Sequence, residues 1–201
     1  MSKAELLEKA KTECEIDKSL IIDPEFPQLV YGKGDINATI LFIGEAPGKN
    51  EALVGLPFVG AAGKNFDKLL SSINLTLEQC YVANILKYRP PKNRLPKSDE
   101  MQRHIPYLLK QISIIKPKII VTLGNISTKL ALSNFSVSVY EKTKNKIGTV
   151  SKLHGKNYQI SLGKNSFVLI PLYHPAASIH NIKLRKTLRD DFQIIQSYCL
   201  K

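Results

Sequence analysis

The sequence predicts an α/β protein, a three-layer α/β/α sandwich around a central, mostly parallel four-stranded sheet, and three observations predict it. Four apolar runs of strand length stand at Ala38 to Ile43, Tyr81 to Leu86, Lys118 to Gly124 and Phe167 to Leu172. Segments with apolar residues at helical spacing lie between and after them, and such alternation implies parallel strands with helices on both faces. Three distinctive loops, one rich in glycine, one in proline and one containing a histidine, each follow one of these runs.

The elements follow in order. Ser2-Lys3-Ala4-Glu5 fits a capping box, and Leu6, Leu7 and Ala10 form the apolar face of a short helix ending before Cys14. Pro24, Pro27, Gly32 and Gly34 make an irregular lead-in, so residues 1–28 read as an N-terminal helix and connecting segment of one domain spanning 1–201. The first strand empties into Gly44 to Gly63, a loop holding five of the eleven glycines. Phe66, Leu69, Leu70 and Ile73 predict a helix over residues 62–73. The run from Tyr81 to Leu86 ends in Lys87-Tyr88-Arg89-Pro90-Pro91-Lys92-Asn93-Arg94-Leu95-Pro96, where three prolines forbid a regular element. Ser98 is suited to cap a helix reaching Ile115, with Ile105, Leu108, Leu109 and Ile112 inward. A buried strand at 118–124 precedes a small helix over 126–132. Residues 133–164 are polar and basic, with room for short strands around Val150 and Tyr158. The last strand leads into Tyr173-His174-Pro175-Ala176-Ala177, and a final helix over 182–198 buries Leu188, Phe192 and Ile195.

A chain of 201 residues suffices for one buried core. The formal charge of +12 implies an anionic partner. It is unevenly placed: up to Leu70 there are 8 Lys and Arg against 11 Asp and Glu, and beyond it 21 against 6. Cys14, Cys80 and Cys199 show no paired spacing and read as reduced thiols of an intracellular protein. No apolar run approaches the roughly twenty residues of a membrane span, and no signal peptide is visible.

In a parallel sheet, loops after strands emerge on one edge, so Glu45, Phe58, Asn84, Lys87, Arg89 and His174 are expected to converge there. A carboxylate, a carboxamide, an aromatic ring and an imidazole suit a flat, uncharged heterocycle better than a phosphate. Phe58 offers a stacking face, and the amide of Asn84 donates and accepts at once, as a nucleobase edge demands. The basic Pro-rich loop suggests that the base arrives on a polyanion. The glycine-rich loop is not a P-loop, because no Lys-Ser/Thr pair follows it.

Gly44-Glu45-Ala46-Pro47-Gly48, Gly55-Leu56-Pro57-Phe58-Val59-Gly60, Asn84 with Lys87-Tyr88-Arg89-Pro90-Pro91-Lys92-Asn93-Arg94, and His174-Pro175-Ala176-Ala177 together resemble the family 4 uracil-DNA glycosylases. The resemblance runs in order from about Leu29 to Phe192. It implies a uracil-DNA glycosylase-like fold and a monofunctional hydrolase, a cytoplasmic monomer of base excision repair, that flips uracil out of DNA and releases it free, leaving an abasic site. In it, Glu45 positions or activates the attacking water, and His174 hydrogen-bonds uracil O2 as negative charge grows. Phe58 stacks on the base, Asn84 reads its N3/O4 edge, Ala46 lines the site, and Glu51 crowds the position of a thymine methyl. Lys87, Arg89 and Arg94 are expected on the DNA backbone. Ile179 stands where a wedge fills the gap left by the flipped base, and His180 where an arginine is commoner.

The resemblance also implies a four-cysteine iron–sulfur cluster, but the matching positions here carry Cys14, Asp17, Tyr88 and His104. One thiolate of four leads us to expect no cluster and no other metal or cofactor. Two other readings compete: a DNA-binding module of this fold without catalysis, and a relative that traps uracil-DNA covalently through His154. Retention of Glu45, Phe58, Asn84 and His174 opposes the first. Ala46 and the lack of an Arg-rich insertion oppose the second.

Overall fold

The computed structural model describes residues 1–179 and 181–199. Its order is α1 (Lys3–Ile16), β1 (Lys33–Gly34), β2 (Ile40–Gly44), α2 (Lys49–Val54), α3 (Ala61–Ser71), β3 (Tyr81–Asn84), α4 (Ser98–Ile115), β4 (Ile119–Leu123), α5 (Asn125–Leu132), α6 (Val137–Thr143), α7 (Val150–Leu153), β5 (Tyr158–Leu162), β6 (Asn165–Leu172) and α8 (Ile182–Cys199). The sheet order is β1-β3-β2-β4-β6-β5. Its four central strands are mutually parallel, as the four apolar runs predict, and β1 and β5 add antiparallel edges, making six strands rather than four.

Both faces of the central strands are buried, which is why these strands read as continuous apolar runs. Leu41, Ile43, Ala83, Ile120 and Leu169 face one way, into a core shared with Leu108 and Ile112 of α4, Leu130 of α5 and Tyr140 of α6. Ile40, Phe42, Val82, Val121 and Ile170 face the other way, against Phe66 and Leu70 of α3 and Leu188, Phe192 and Ile195 of α8. There the ring of Phe42 meets Phe66 edge-on at 4.9 Å and stacks on Phe192 at 6.1 Å, so one residue of β2 docks two helices. A third cluster, of Ala10, Cys14, Leu20, Leu29, Tyr31 and Tyr88, packs α1 and the lead-in against the Pro-rich loop.

Several local expectations need correction. The first helix runs on through Cys14 to Ile16, because Ala10 and Cys14 lie on its buried side and Asp17 supplies the cap. Two helices, α2 within the glycine-rich stretch and α6 within residues 133–164, fall where the apolar pattern is too short or weak to announce them. Val150 begins the short α7 rather than a strand, whereas Tyr158 does begin β5. Ser98 is the first residue of α4 and Lys97 is its cap, with Glu100 reaching back to the Lys97 amide at 2.8 Å. Among the described residues, no helix is long and apolar enough to cross a membrane.

Phe42→Ala removes the ring shared by the two helices. We expect a loss of about 3–5 kcal/mol of stability, read from urea unfolding; an unchanged midpoint would contradict this packing account.

Candidate functional site

The site is built from the register of two strands. In the β2–β3 pair Gly44 lies opposite Asn84, and the ladder continues beyond it, with Ile85 N–H donating to Gly44 O at 3.1 Å and Leu86 N–H to Glu45 O at 3.0 Å. Glu45 and Asn84 therefore leave the sheet together. A Cβ on Gly44 would fall 2.2 Å from Asn84 Oδ1, so glycine is required for this approach. Asn84 is 2 % exposed and its Nδ2 has no hydrogen-bond partner. A buried carboxamide with an unspent donor is suited to receive a polar ligand. Glu45 is half-buried, and desolvation holds its carboxyl above the usual carboxylate range.

Phe58 supplies the aromatic wall. It is buried and has a φ of 55°, in the left-handed region that costs a non-glycine residue about 1–3 kcal/mol. Both ends of the residue are held: its amide donates to Glu51 Oε1, and its carbonyl accepts from Lys33 Nζ at 3.3 Å. Glu51 also accepts from Gly48 N–H at 2.5 Å, so its carboxylate ties together the chain on the two sides of α2. Glu51, expected from the resemblance at the position of a thymine methyl, thus lines the cavity with its carboxylate engaged by two main-chain donors. Gly63 lies beneath: a Cβ there would sit 2.0 Å from Phe58 O.

His174 follows β6, and its ring stacks with Phe58 at 5.9 Å and 25°. Its Nδ1 accepts from Ala176 N–H at 3.2 Å, which leaves the neutral ring its donor on Nε2. Desolvation pushes its pKa down to about 4, so the ring is neutral at pH 7. Ala46, Gly48, Glu51, Phe58, Asn84 and His174 line one cavity of about 390 Å³, and Glu45 lines an adjoining pocket with Ala46, Arg94 and His174. The size and the mix of ring, carboxamide and imidazole fit a planar heterocycle, with a carboxylate at one side of it.

The expected DNA contacts fare differently. Lys87 is 0 % exposed, and its ammonium donates to Asn84 O at 2.8 Å and Gln111 Oε1 at 2.6 Å, so it is corrected from a surface cation to an internal one. Arg89 is corrected likewise: buried, it pairs with Asp23 at 3.3 Å, bonds Asn93 Oδ1 at 2.9 Å and lies over the Phe26 ring. Arg94 is half-buried and engages both oxygens of the buried Glu100, so its charge is matched within the protein. Ile179 is half-buried, and its carbonyl accepts from Arg185; His180 lies outside the described residues.

Sequence reasoning passed over Lys33 and Asn65. Asn65 Nδ2 donates to Pro175 O at 2.9 Å and Ser178 Oγ at 2.8 Å, joining α3 to the turn that follows His174. Neither has a motif to mark it. His154, the residue on which the covalent-trapping reading turns, is held by Asp191 at 2.9 Å and rests on the Tyr173 ring at 4.9 Å.

The positions that match the cluster ligands do not fit a thiolate-held group. Cys14 is fully buried, and desolvation pushes its thiol up to about 12. Asp17 accepts from Ser19 and from Tyr107 Oη at 3.0 Å. The Tyr88 and His104 rings pack edge-on at 6.3 Å, and His104 Nδ1 accepts from Lys87 N–H at 3.0 Å. Burial pushes the His104 pKa down to about 3. Among the described residues, no group of three His, Cys, Asp or Glu side chains is arranged to hold a metal ion.

A family model described as the uracil DNA glycosylase superfamily matches residues 31–193. The type-4 uracil-DNA glycosylase of Sulfurisphaera tokodaii is 42 % identical over 172 residues, covering 85 % of this chain and 74 % of the relative. The protein of the same name from Saccharolobus solfataricus is 40 % identical over 168 residues, 83 % of this chain and 74 % of that one. That of Archaeoglobus fulgidus is 38 % identical over 172 residues, 86 % and 82 %.

Gly63→Ala tests whether the base of the glycine-rich stretch fixes Phe58. The overlap with Phe58 O should cost about 1–3 kcal/mol of stability and displace the ring. A variant as stable as the parent by thermal unfolding would show that the contact is slack.

Proposed function

The chain belongs to the uracil-DNA glycosylase superfamily, and from that premise we propose how its residues carry out the reaction of a uracil-DNA glycosylase, hydrolysis of the N-glycosidic bond of deoxyuridine in DNA. The observation that carries the assignment of roles is the convergence of Phe58, Asn84 and His174 on one cavity, with Glu45 in the pocket beside it.

Uracil enters the cavity after rotation out of the DNA stack and lies against Phe58. The carboxamide of Asn84 donates to O4 and accepts from N3–H; cytosine, with a donor in place of O4, is refused. Glu51 and the chain it ties stand where a 5-methyl group would intrude. As the C1′–N1 bond breaks, its electron pair moves onto the uracil ring and the sugar becomes oxocarbenium-like. The Nε2–H of neutral His174 donates to O2 where that negative charge gathers, an interaction stronger in the transition state than in the ground state. Glu45 accepts a proton from the water that adds to C1′, and uracil leaves as the anion to be protonated in solvent. The products are free uracil and an abasic site.

We further propose that the protein works without an iron–sulfur cluster or other cofactor, as a cytoplasmic monomer. The single thiol at the matching positions and the Tyr88–His104 packing support the first part of this. With Lys87 and Arg89 internal, the DNA backbone is assigned to exposed cations on the helices leading away from the site. Lys68 of α3 and Arg189 of α8 line a cleft of about 250 Å³ beside Ser178, on the turn that follows His174.

Single- and double-stranded oligonucleotides containing one uracil, treated with alkali after incubation, test the activity; no product at stoichiometric enzyme contradicts it. Glu45→Gln should lower the single-turnover rate by about 100- to 10,000-fold, as loss of a general base does. Because the base must be ionised and burial raises its pKa, the rate should climb with pH through a midpoint above the usual carboxylate range, and that limb should vanish in the variant. An acid limb retained in Glu45→Gln would remove Glu45 from the role. Lys68→Ala with Arg189→Ala should weaken DNA binding and flatten its salt dependence by a slope of about 1 for each cation removed, leaving the rate on saturating DNA in place.

A further inference from the structure

A fully buried lysine without a counter-charge is costly, because removing an ammonium from water carries a penalty of several kcal/mol unless its partners compensate. Lys87 is such a residue. Among the described residues no carboxylate pairs with it, and its partners are neutral oxygens: Asn84 O at 2.8 Å, Gln111 Oε1 at 2.6 Å and Tyr31 O at 3.5 Å, with the Tyr31 ring 5.5 Å from Nζ. Desolvation pushes its pKa down to about 7.

Its surroundings are fixed. Gln111 is anchored by donating to Tyr31 O at 2.9 Å and to Tyr81 Oη at 3.3 Å. The main chain of Lys87 is fixed as well, with its N–H on His104 Nδ1 at 3.0 Å and its carbonyl receiving Val30 N–H at 2.9 Å. One residue thus joins α4, the lead-in segment and the end of β3. The edge strand β1 pairs only with Tyr81 and Val82, so it stops short of Asn84, and the lysine side chain binds the Asn84 carbonyl where that edge pairing has ended.

The carbonyl that Lys87 holds belongs to the residue whose carboxamide stands unpartnered at the cavity wall. The Asn84–Ile85 peptide is held on its other side by Ile85 N–H on Gly44 O at 3.1 Å, and a rotation of it, once Lys87 no longer holds the carbonyl, would swing the carboxamide away from Gly44 and from the plane of a bound base. We propose that Lys87 is a positioning residue for Asn84: its buried ammonium fixes the Asn84 carbonyl and with it the direction in which the carboxamide meets the base. This rests on the base-reading assignment of Asn84 made above. It assigns Lys87, the first lysine of the basic loop, to base recognition rather than to phosphate.

Lys87→Met keeps the apolar stem and removes the donors. Single-turnover excision is measured for Lys87→Met, Asn84→Ala and the double variant, alongside affinity for uracil-free duplex over a range of salt. Lys87→Met should slow excision by about 10- to 100-fold, the scale on which a misplaced recognition group acts. Duplex affinity and its salt slope should be unchanged. In the Asn84→Ala background the same substitution should cost less than about 2-fold, because the two act as a unit. An equal loss in both backgrounds, or a lower salt slope, overturns the proposal while leaving the role of Asn84 intact. No effect of Asn84→Ala by itself overturns both. Gln111→Met, which removes the acceptor of Lys87 on α4, is the parallel variant should Lys87→Met not fold: a slower rate confined to the Asn84 background supports the proposal, and an unchanged rate overturns it.

Discussion

The pairing of β2 with β3 sets the geometry of the whole site. Its register places Gly44 against Asn84, and the two further hydrogen bonds from Ile85 and Leu86 carry the ladder past the end of the strands. A shift of one residue would turn Asn84 to the opposite face of the sheet and separate it from Glu45. The register is locked because alternate residues of both strands are buried in different cores, Leu41, Ile43 and Ala83 in one and Phe42 and Val82 in the other. Phe58 and His174 are then added to a fixed pair: the first by Glu51, Lys33 and the bare Cα of Gly63, the second by β6 and the Ala176 amide.

Behind that pair lies a frame of packed rings and internal cations. Cys14, Tyr88 and His104 fill the space between α1, the Pro-rich loop and α4, and every residue from Tyr81 to Pro90 is buried. The loop is held from several sides, by Arg89 on Asp23, by Arg94 on Glu100 and by Lys87 on Gln111. These three cations are used inwardly, while Lys92 of the same loop is exposed. Charge that the sequence places beside the site thus fixes the shape of the loop, and exposed cations such as Lys68 and Arg189 remain for an anionic partner.

This division explains what was legible in the sequence. The four parallel strands are announced by Ile, Val and Leu runs because both of their faces are covered. The meeting of Phe58, Asn84 and His174 follows from the rule that loops after parallel strands share an edge. The edges of the sheet were less legible: β1, with two residues, left no signal, and β5, half exposed, showed only as room for a short strand around Tyr158. Helix α2 was hidden because its ends are made by Gly48 and Gly55, which read as loop. Lys87 and Arg89 were misplaced for a different reason. Sequence displays charge but not burial, and a lysine satisfied by two carbonyl oxygens and an amide has the same letter as one in solvent. Lys33 and Asn65 act on main-chain carbonyls distant in sequence, and such partners leave no local pattern.

If one preformed cavity reads uracil through Asn84 and His174, the isotope-labelled protein should report it by NMR when titrated with free bases. Uracil should shift the side-chain amide of Asn84 and the ring resonances of His174 and Phe58, while thymine and cytosine at the same concentrations leave them in place. Uracil shifts confined to other residues, or equal responses to all three bases, would show that these side chains do not read the base.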